Sequence, residues 1–448
     1  MPDITKMDYF NQPHLEQLVA DILREAVQQG ATSAEVDVAV NKGFTVTARK
    51  GEVETVEYNQ DKIIELTVYF GKRCGTASLS DVRPEAIRSA VQAACNIARF
   101  TDEDEFNALA DKKLLAFDYP SVDIYSPWSL SVPQAIEMVL ECEAMALSKD
   151  KRIVNSEGAT LSTGEVWHSY GNTQGFIGTC PVTRHEISCV LIAKKGKEMQ
   201  RDYCYSVACD PSMLESIQHV AETAVERTVR RLGAQRLSTC KVPVIYAAEE
   251  ARGLLGHFVS AIQGSSLYRK SSFLLDHLGQ RVFPDHVQID ERPYLAKYLG
   301  SAPFDDDGVA TRPNVFIDKG ILKSYAMGIY SAKKLGMETT GNGGGVHNLF
   351  ISTGDKDLPA LMKKMGKGIL VTELMGNGVN LVTGDYSRGM SGFWVENGEI
   401  QYPVEEITLA GRLQDMYGNL VEVANDVDTR GNIQTGSILL EEMTIAGE

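Results

Sequence analysis

The 448-residue chain predicts an α+β protein, and three observations carry that reading. Amphipathic helical spacing flanks each of two strand-rich stretches in the first half. The second half interleaves glycine with Val, Ile, Leu and Phe, as short strands joined by tight turns do. At roughly 150 residues per domain, the length supports two or three domains. The expected architecture is a tandem helix-and-sheet N-terminal domain, residues 1–232, with α-β-α subrepeats at 1–100 and 130–232. A mainly antiparallel β C-terminal domain with an embedded helix follows over residues 242–448.

Residues 15–29 have helical spacing, and residues 34–40, 44–50, 63–70 and 74–80 read as strands separated by Gly43, Gly51 and Gly71 at turns. Pro84 sits where a helix's first turn tolerates proline, and Ile87, Val91, Ala94, Cys95 and Ala98 follow on one face. Acids and prolines break the pattern over 100–128, a connecting segment. Ser131 and Pro133 open a third helix, strands fill 153–208, and Asp210 caps a helix that runs to Arg231 and stops at Gly233. A boundary falls near 232–242, with a strand at 242–247 leading into a helix at 249–263 that carries Leu254, Leu255, Phe258, Val259 and Ile262 on one side. From Gly341 to Gly398 lie 13 of the 39 glycines, which marks this stretch as the place where backbones approach closely.

Lys plus Arg is 44 and Asp plus Glu is 60, a net charge of −16 that would repel a phosphate backbone, so direct nucleic-acid binding is not expected. No stretch approaches the roughly 18 apolar residues of a membrane span, and the first residues carry acids where an export signal needs bases. Eight scattered cysteines without a C-x-x-C pair fit a reducing compartment. The expectation is a cytoplasmic protein away from membranes.

The glycine strings at Gly341 and Gly376 lack the offsets of a dinucleotide fingerprint, and no phosphate-binding P-loop occurs. There is no G-x-S-x-G elbow, and the serines around Lys270 miss the S-x-x-K spacing. The pair His185-Glu186 is followed by Cys189 in a strand-like run, which favours β packing over metal ligation. His257 is a lone histidine on an apolar helix, a pattern of hydrogen-bonded core groups more often than of ligands.

Longer strings are more specific: GLLGHFVSAIQGSSLYRKSSFLLDHLG from Gly253, PFDDDGVATRP from Pro303, SAKKLGMETTGN from Ser331, TELMGNGVNLVTGDYSRGMSGFWVENGEIQYPV from Thr372 and ITLAGRL from Ile407. In fixed order they resemble the TldD/PmbA family along nearly the whole chain. The resemblance implies a two-subunit zinc metalloprotease in which a TldD-like chain carries a helical His-Glu-x-x-x-His motif and a C-terminal cysteine. Laid on this sequence, the motif falls on His257, Phe258 and Ile262, and no cysteine follows Cys240. Phe258 cannot take a proton and Ile262 has no lone pair to give, so no zinc is expected in this chain.

The resemblance therefore implies the non-catalytic, peptide-binding half of a heterodimer with the TldD-like subunit, or a homodimer in isolation, acting on unfolded peptides in peptide-antibiotic maturation or antitoxin turnover. The zinc is expected in the partner. The segment from Gly341 to Gly398 offers backbone to an extended peptide, and Arg269, Lys270, Asp385, Arg388 and Glu396 are the charged residues to line its cavity. The alternatives are a self-sufficient hydrolase using His257 and His347, and a non-proteolytic binding protein that modulates DNA gyrase or a toxin-antitoxin pair.

Overall fold

A computed structural model describes residues 11–447. The first half runs α1 (Gln12–Gln28), β1 (Ser33–Arg49), β2 (Glu52–Phe70), β3 (Arg73–Leu79) and α2 (Pro84–Phe100), then α3 (Val132–Lys149), β4 (Ile153–Asn172), β5 (Ile177–Lys195), β6 (Glu198–Ala208) and α4 (Ile217–Arg230). Its strands form one antiparallel sheet in the order β3-β2-β1-β4-β5-β6. Each set of three strands is flanked by two helices, and the two sets meet at β1 and β4. Val36, Val38 and Val40 of β1 pack with α1 and α2, while Val46 and Ala48 pack with α3 and α4. Their common parity puts all four helices on one face of the sheet.

Local chemistry sets the helix starts. Pro84 occupies the first turn of α2. Ser131 and Gln134 satisfy each other's backbone N–H groups in a capping box at α3. Two sequence expectations change here. Asp210 caps only a short 3-10 turn, Pro211–Met213, and Ser216 caps α4 by accepting from the His219 N–H. Gly43 is not a turn: β1 runs unbroken through it, paired with Gly164 of β4. A Cβ at Gly43 would stand 2.3 Å from the Thr163 carbonyl oxygen, so the glycine permits a close approach between strands.

The second half runs β7 (Cys240–Tyr246), α5 (Ala248–Ile262), α6 (Gly264–Tyr268), β8 (Ile289–Glu291), β9 (Asn314–Asp318), β10 (Ile321–Leu322), α7 (Ile329–Leu335), β11 (Leu349–Ile351), α8 (Leu358–Met365), β12 (Gly368–Met375), β13 (Asp385–Glu396), β14 (Glu399–Arg412), α9 (Leu413–Gly418), β15 (Leu420–Val423), β16 (Ile433–Gln434) and β17 (Ile438–Ala446). A small sheet has the order β10-β9-β8-β11-β16. A larger one has the order β14-β13-β12-β7-β17-β15, and a further pairing of β14 with β17 closes it on itself. Among the described strands only β7 with β12 and β11 with β16 run parallel. The main C-terminal core joins Leu254, Phe258 and Ile262 of α5 to Tyr246, Met390, Ile407 and Ile445 of the closed sheet. The helix is thus held by burial of one face.

Among the described residues no helix is long and apolar enough to cross a membrane.

Candidate functional site

One face of α5 is buried and the other is open. Phe258 and Ile262 are fully buried, and Phe258 packs edge-on against Phe283 and Tyr417 at 5.4 and 6.1 Å between ring centres. Gly253 and Gly256 have nothing within 4 Å of where a Cβ would stand, and with His257 and Ser260 they share the opposite side at helical spacing. The His257 ring stands edge-on to Tyr386 of β13, 6.1 Å between centres. Burial, then the nearby Arg388 guanidinium, holds the imidazole below its ordinary range, so it is neutral at pH 7.

Arg388 reaches from β13 to the end of β12, donating to the carbonyl oxygens of Gly376 at 3.0 Å and Leu374 at 3.3 Å. β7 pairs with β12 only along residues 369–371 before turning into α5, so residues 372–375 have β13 on one side and no strand on the other. At the start of α5, burial followed by the neighbouring Glu249 carboxylate pushes Glu250 up to about 7, while Arg388 pulls it down. A short stretch of β12 without a second strand neighbour, an imidazole, a guanidinium and a titratable carboxyl thus converge beside one helix.

The other expected site residues lie apart. Asp385 and Glu396 are the first and last residues of a 12-residue strand, roughly 35 Å from one another at strand rise. Asp385 accepts from Thr383 Oγ1 at 2.6 Å, and Glu396 pairs with Lys367 at 3.0 Å. Arg269 stacks on Tyr268 with 5.5 Å to the ring centre, and Lys270 follows in a left-handed conformation, φ 56°, both exposed after α6. Within residues 341–398, β13 is paired on both edges by β12 and β14, while residues 372–375 of β12 have no strand on their other side. His347 bonds Glu291 at 3.2 Å and is tied to the small sheet.

Sequence reasoning missed Glu250, the buried carboxylate of Asp305 and the half-buried Asp307. Asp305 accepts backbone N–H bonds from Asp307, Val309 and Gly343 at 2.8–3.0 Å. Burial, then Asp307, raises its carboxyl above the ordinary range. The only signal was the PFDDDGVATRP string, which places three acids together without showing that one is buried.

Two cavities flank α5. One of about 520 Å³ lies at its start and is lined by Tyr205, Arg227, Arg230, Glu249, Asp428 and Arg430. Another of about 350 Å³ lies past its end, with Gln263, Tyr268, Asp307, Tyr330 and Asn342 on its walls. Among the described residues no three or more His, Cys, Asp or Glu groups are placed to hold a metal ion. With Phe258 and Ile262 turned into the core, the donor set along α5 does not fit zinc.

The chain thus combines tandem α-β-α units on one sheet with a closed sheet that packs one face of α5. Family models for PmbA/TldA metallopeptidase domain 1, central domain and C-terminal domain match residues 34–98, 125–232 and 239–447. The chain belongs to the PmbA/TldD metallopeptidase family. It is 48% identical over 434 residues to Metalloprotease PmbA of Escherichia coli, covering 97% of this chain and 96% of that one. A crystal structure from Bacteroides thetaiotaomicron, described as a candidate modulator of DNA gyrase, matches with a TM-score of 0.92 at 27% identity, covering 98% of this chain and all of that one. TldE from Thermococcus kodakarensis shares the fold, with a TM-score of 0.81 at 20% identity over 96% of this chain and all of the other.

Proposed function

We propose that this chain is the peptide-binding, non-catalytic subunit of a cytoplasmic zinc metalloprotease whose metal and general base lie in a TldD-like partner. The observation that carries the reading is the burial of Phe258 and Ile262, which puts apolar core at the two positions where the resemblance expects a base and a second ligand. The name metalloprotease borne by the E. coli relative supports the activity of the assembly. The open face of α5 and the short edge of β12 suit an extended, unfolded peptide, because main-chain pairing reads little side-chain sequence. In isolation the chain pairs with itself across the surface meant for the partner, since related subunits share an interface.

The test is to purify the chain alone and with a TldD-like subunit, then measure bound zinc and cleavage of an unfolded peptide. Zinc and cleavage are expected only in the mixture; stoichiometric zinc with full activity in the lone chain overturns the reading. The description of the Bacteroides relative favours a second one, a binding protein that modulates DNA gyrase without proteolysis. A supercoiling assay with the metal chelated separates them, because chelation leaves a purely binding effect intact.

A further inference from the structure

Among the described residues, a long stretch of strand edge without a neighbouring strand lies on β2. β3 covers β2 only along residues 64–70, so among the described residues no strand lies beside the outer edge of 52–63. The direction of each peptide group follows from register. The Tyr69 carbonyl accepts from the Thr32 N–H at 2.8 Å, towards β1, and pairing with β1 continues without a shift from Ser33↔Tyr69 to Thr47↔Thr55. Odd-numbered residues of β2 therefore bond to β1, and even-numbered residues point their N–H and C=O groups the other way. Ile64, Leu66 and Val68 spend theirs on β3. Val56, Tyr58 and Gln60 direct theirs out of the sheet.

The side chains are sorted with equal clarity. Residues 51–61 are exposed on both faces, with Tyr58 at 72%. On the even face Val56 and Tyr58 adjoin Phe44, and a notch of about 310 Å³ is lined by Phe44, Tyr58 and Trp128. On the odd face Glu57 and Asp61 stand four residues apart. Residues 52–62 hold four acids, Glu52, Glu54, Glu57 and Asp61, against Lys62. A second copy would bring the same excess and a further charge of −16 to the edge.

The geometry points to the outer edge of β2, residues 56–61, as a strand-addition site for an extended peptide that alternates basic and apolar side chains. The basic residues lie over Glu57 and Asp61, and the apolar ones over Val56, Tyr58 and the notch. The site goes beyond the subunit reading above and needs no metal or partner subunit to operate.

A fluorescein-labelled, acetylated nonapeptide of alternating Lys and Val, titrated into the full chain at low salt, is expected to bind at least tenfold more tightly than its Glu/Val counterpart. Amide exchange should slow at Val56, Tyr58 and Gln60. Gln60→Pro removes one outward N–H and leaves the β1 ladder intact, so binding should weaken about tenfold. The exposed double variant Glu57→Lys/Asp61→Lys should reverse the preference. Equal binding of both peptides, protection elsewhere, or protection of the same amides by self-association in sedimentation without peptide overturns the inference. Peptide cleavage by the chain paired with its TldD-like partner is scored separately: its absence alongside intact Lys/Val binding counts against the subunit reading only.

Discussion

The guanidinium of Arg430, in the C-terminal domain, lies 4.3 Å from the ring centre of Tyr205 on β6 of the N-terminal domain. It also pairs with Asp428 at 2.9 Å and Glu249 at 3.3 Å, and Glu249 reaches Arg227 of α4 at 2.9 Å. The two domains are thus joined where the larger cavity opens.

Arg430→Met would leave the buried Asp428 carboxylate with Arg252 alone, 3.5 Å away. The expected cost is about 3 kcal/mol, from a buried charge that loses its nearer partner and a lost cation–π contact. Tyr205→Phe keeps the ring and loses only the bond from Arg252, so it should cost about 1 kcal/mol. Urea unfolding of both variants checks the ratio.

Glu250 titrates at about 7 in the folded chain against an ordinary 4.5. Folded protein therefore holds a proton that unfolded chain has released between those values, and stability conferred by this group is present below pH 4.5 and lost as pH rises through 7. Glu250→Gln should flatten that fall, by on the order of 2 kcal/mol between pH 5 and 7.5. Chemical denaturation at several pH values measures it, and an unchanged slope contradicts the assignment.

Restoring the metal motif should fail. In Phe258→Glu/Ile262→His both new polar groups enter the core beside Phe283 and Tyr417. We expect a loss of several kcal/mol, from desolvated groups without partners, and no stoichiometric zinc by elemental analysis. A folded variant with one zinc per chain would show that α5 can rotate its faces.

Gly43→Ala should strain the centre of the N-terminal sheet. The added methyl meets the Thr163 oxygen at 2.3 Å and the Gly164 Cα at 2.9 Å, both backbone atoms that cannot swing away. A cost of about 2–3 kcal/mol is expected, and a drop in thermal midpoint reads it. At Gly51, a true turn with φ 78° and open space, the same change should cost about 1 kcal/mol from conformation alone.

These cases mark what the sequence could disclose. Pro84 and the Ser131–Gln134 box announce their helices because capping is local chemistry. Gly43 was misread because glycine serves both turns and close approaches, and only the partner strand, 121 positions on at Gly164, distinguishes them. On α5, helical spacing alone turned Phe258 and Ile262 inward. The role of Glu250 was hidden, since its proton is governed first by burial, which the adjacent Glu249 only reinforces and which no local pattern shows. Asp385, Arg388 and Glu396 lie close in sequence, but the extended conformation of β13 separates its two ends.

The closed C-terminal sheet has a temporal implication. β7 needs β17 along one edge, yet Cys240 pairs with Ile445. During synthesis β7 must wait unpaired on that side until almost the whole domain has left the ribosome. Its apolar Val244, Ile245 and Tyr246 are exposed for that interval, making this strand the natural place for a chaperone to hold or for nascent chains to aggregate.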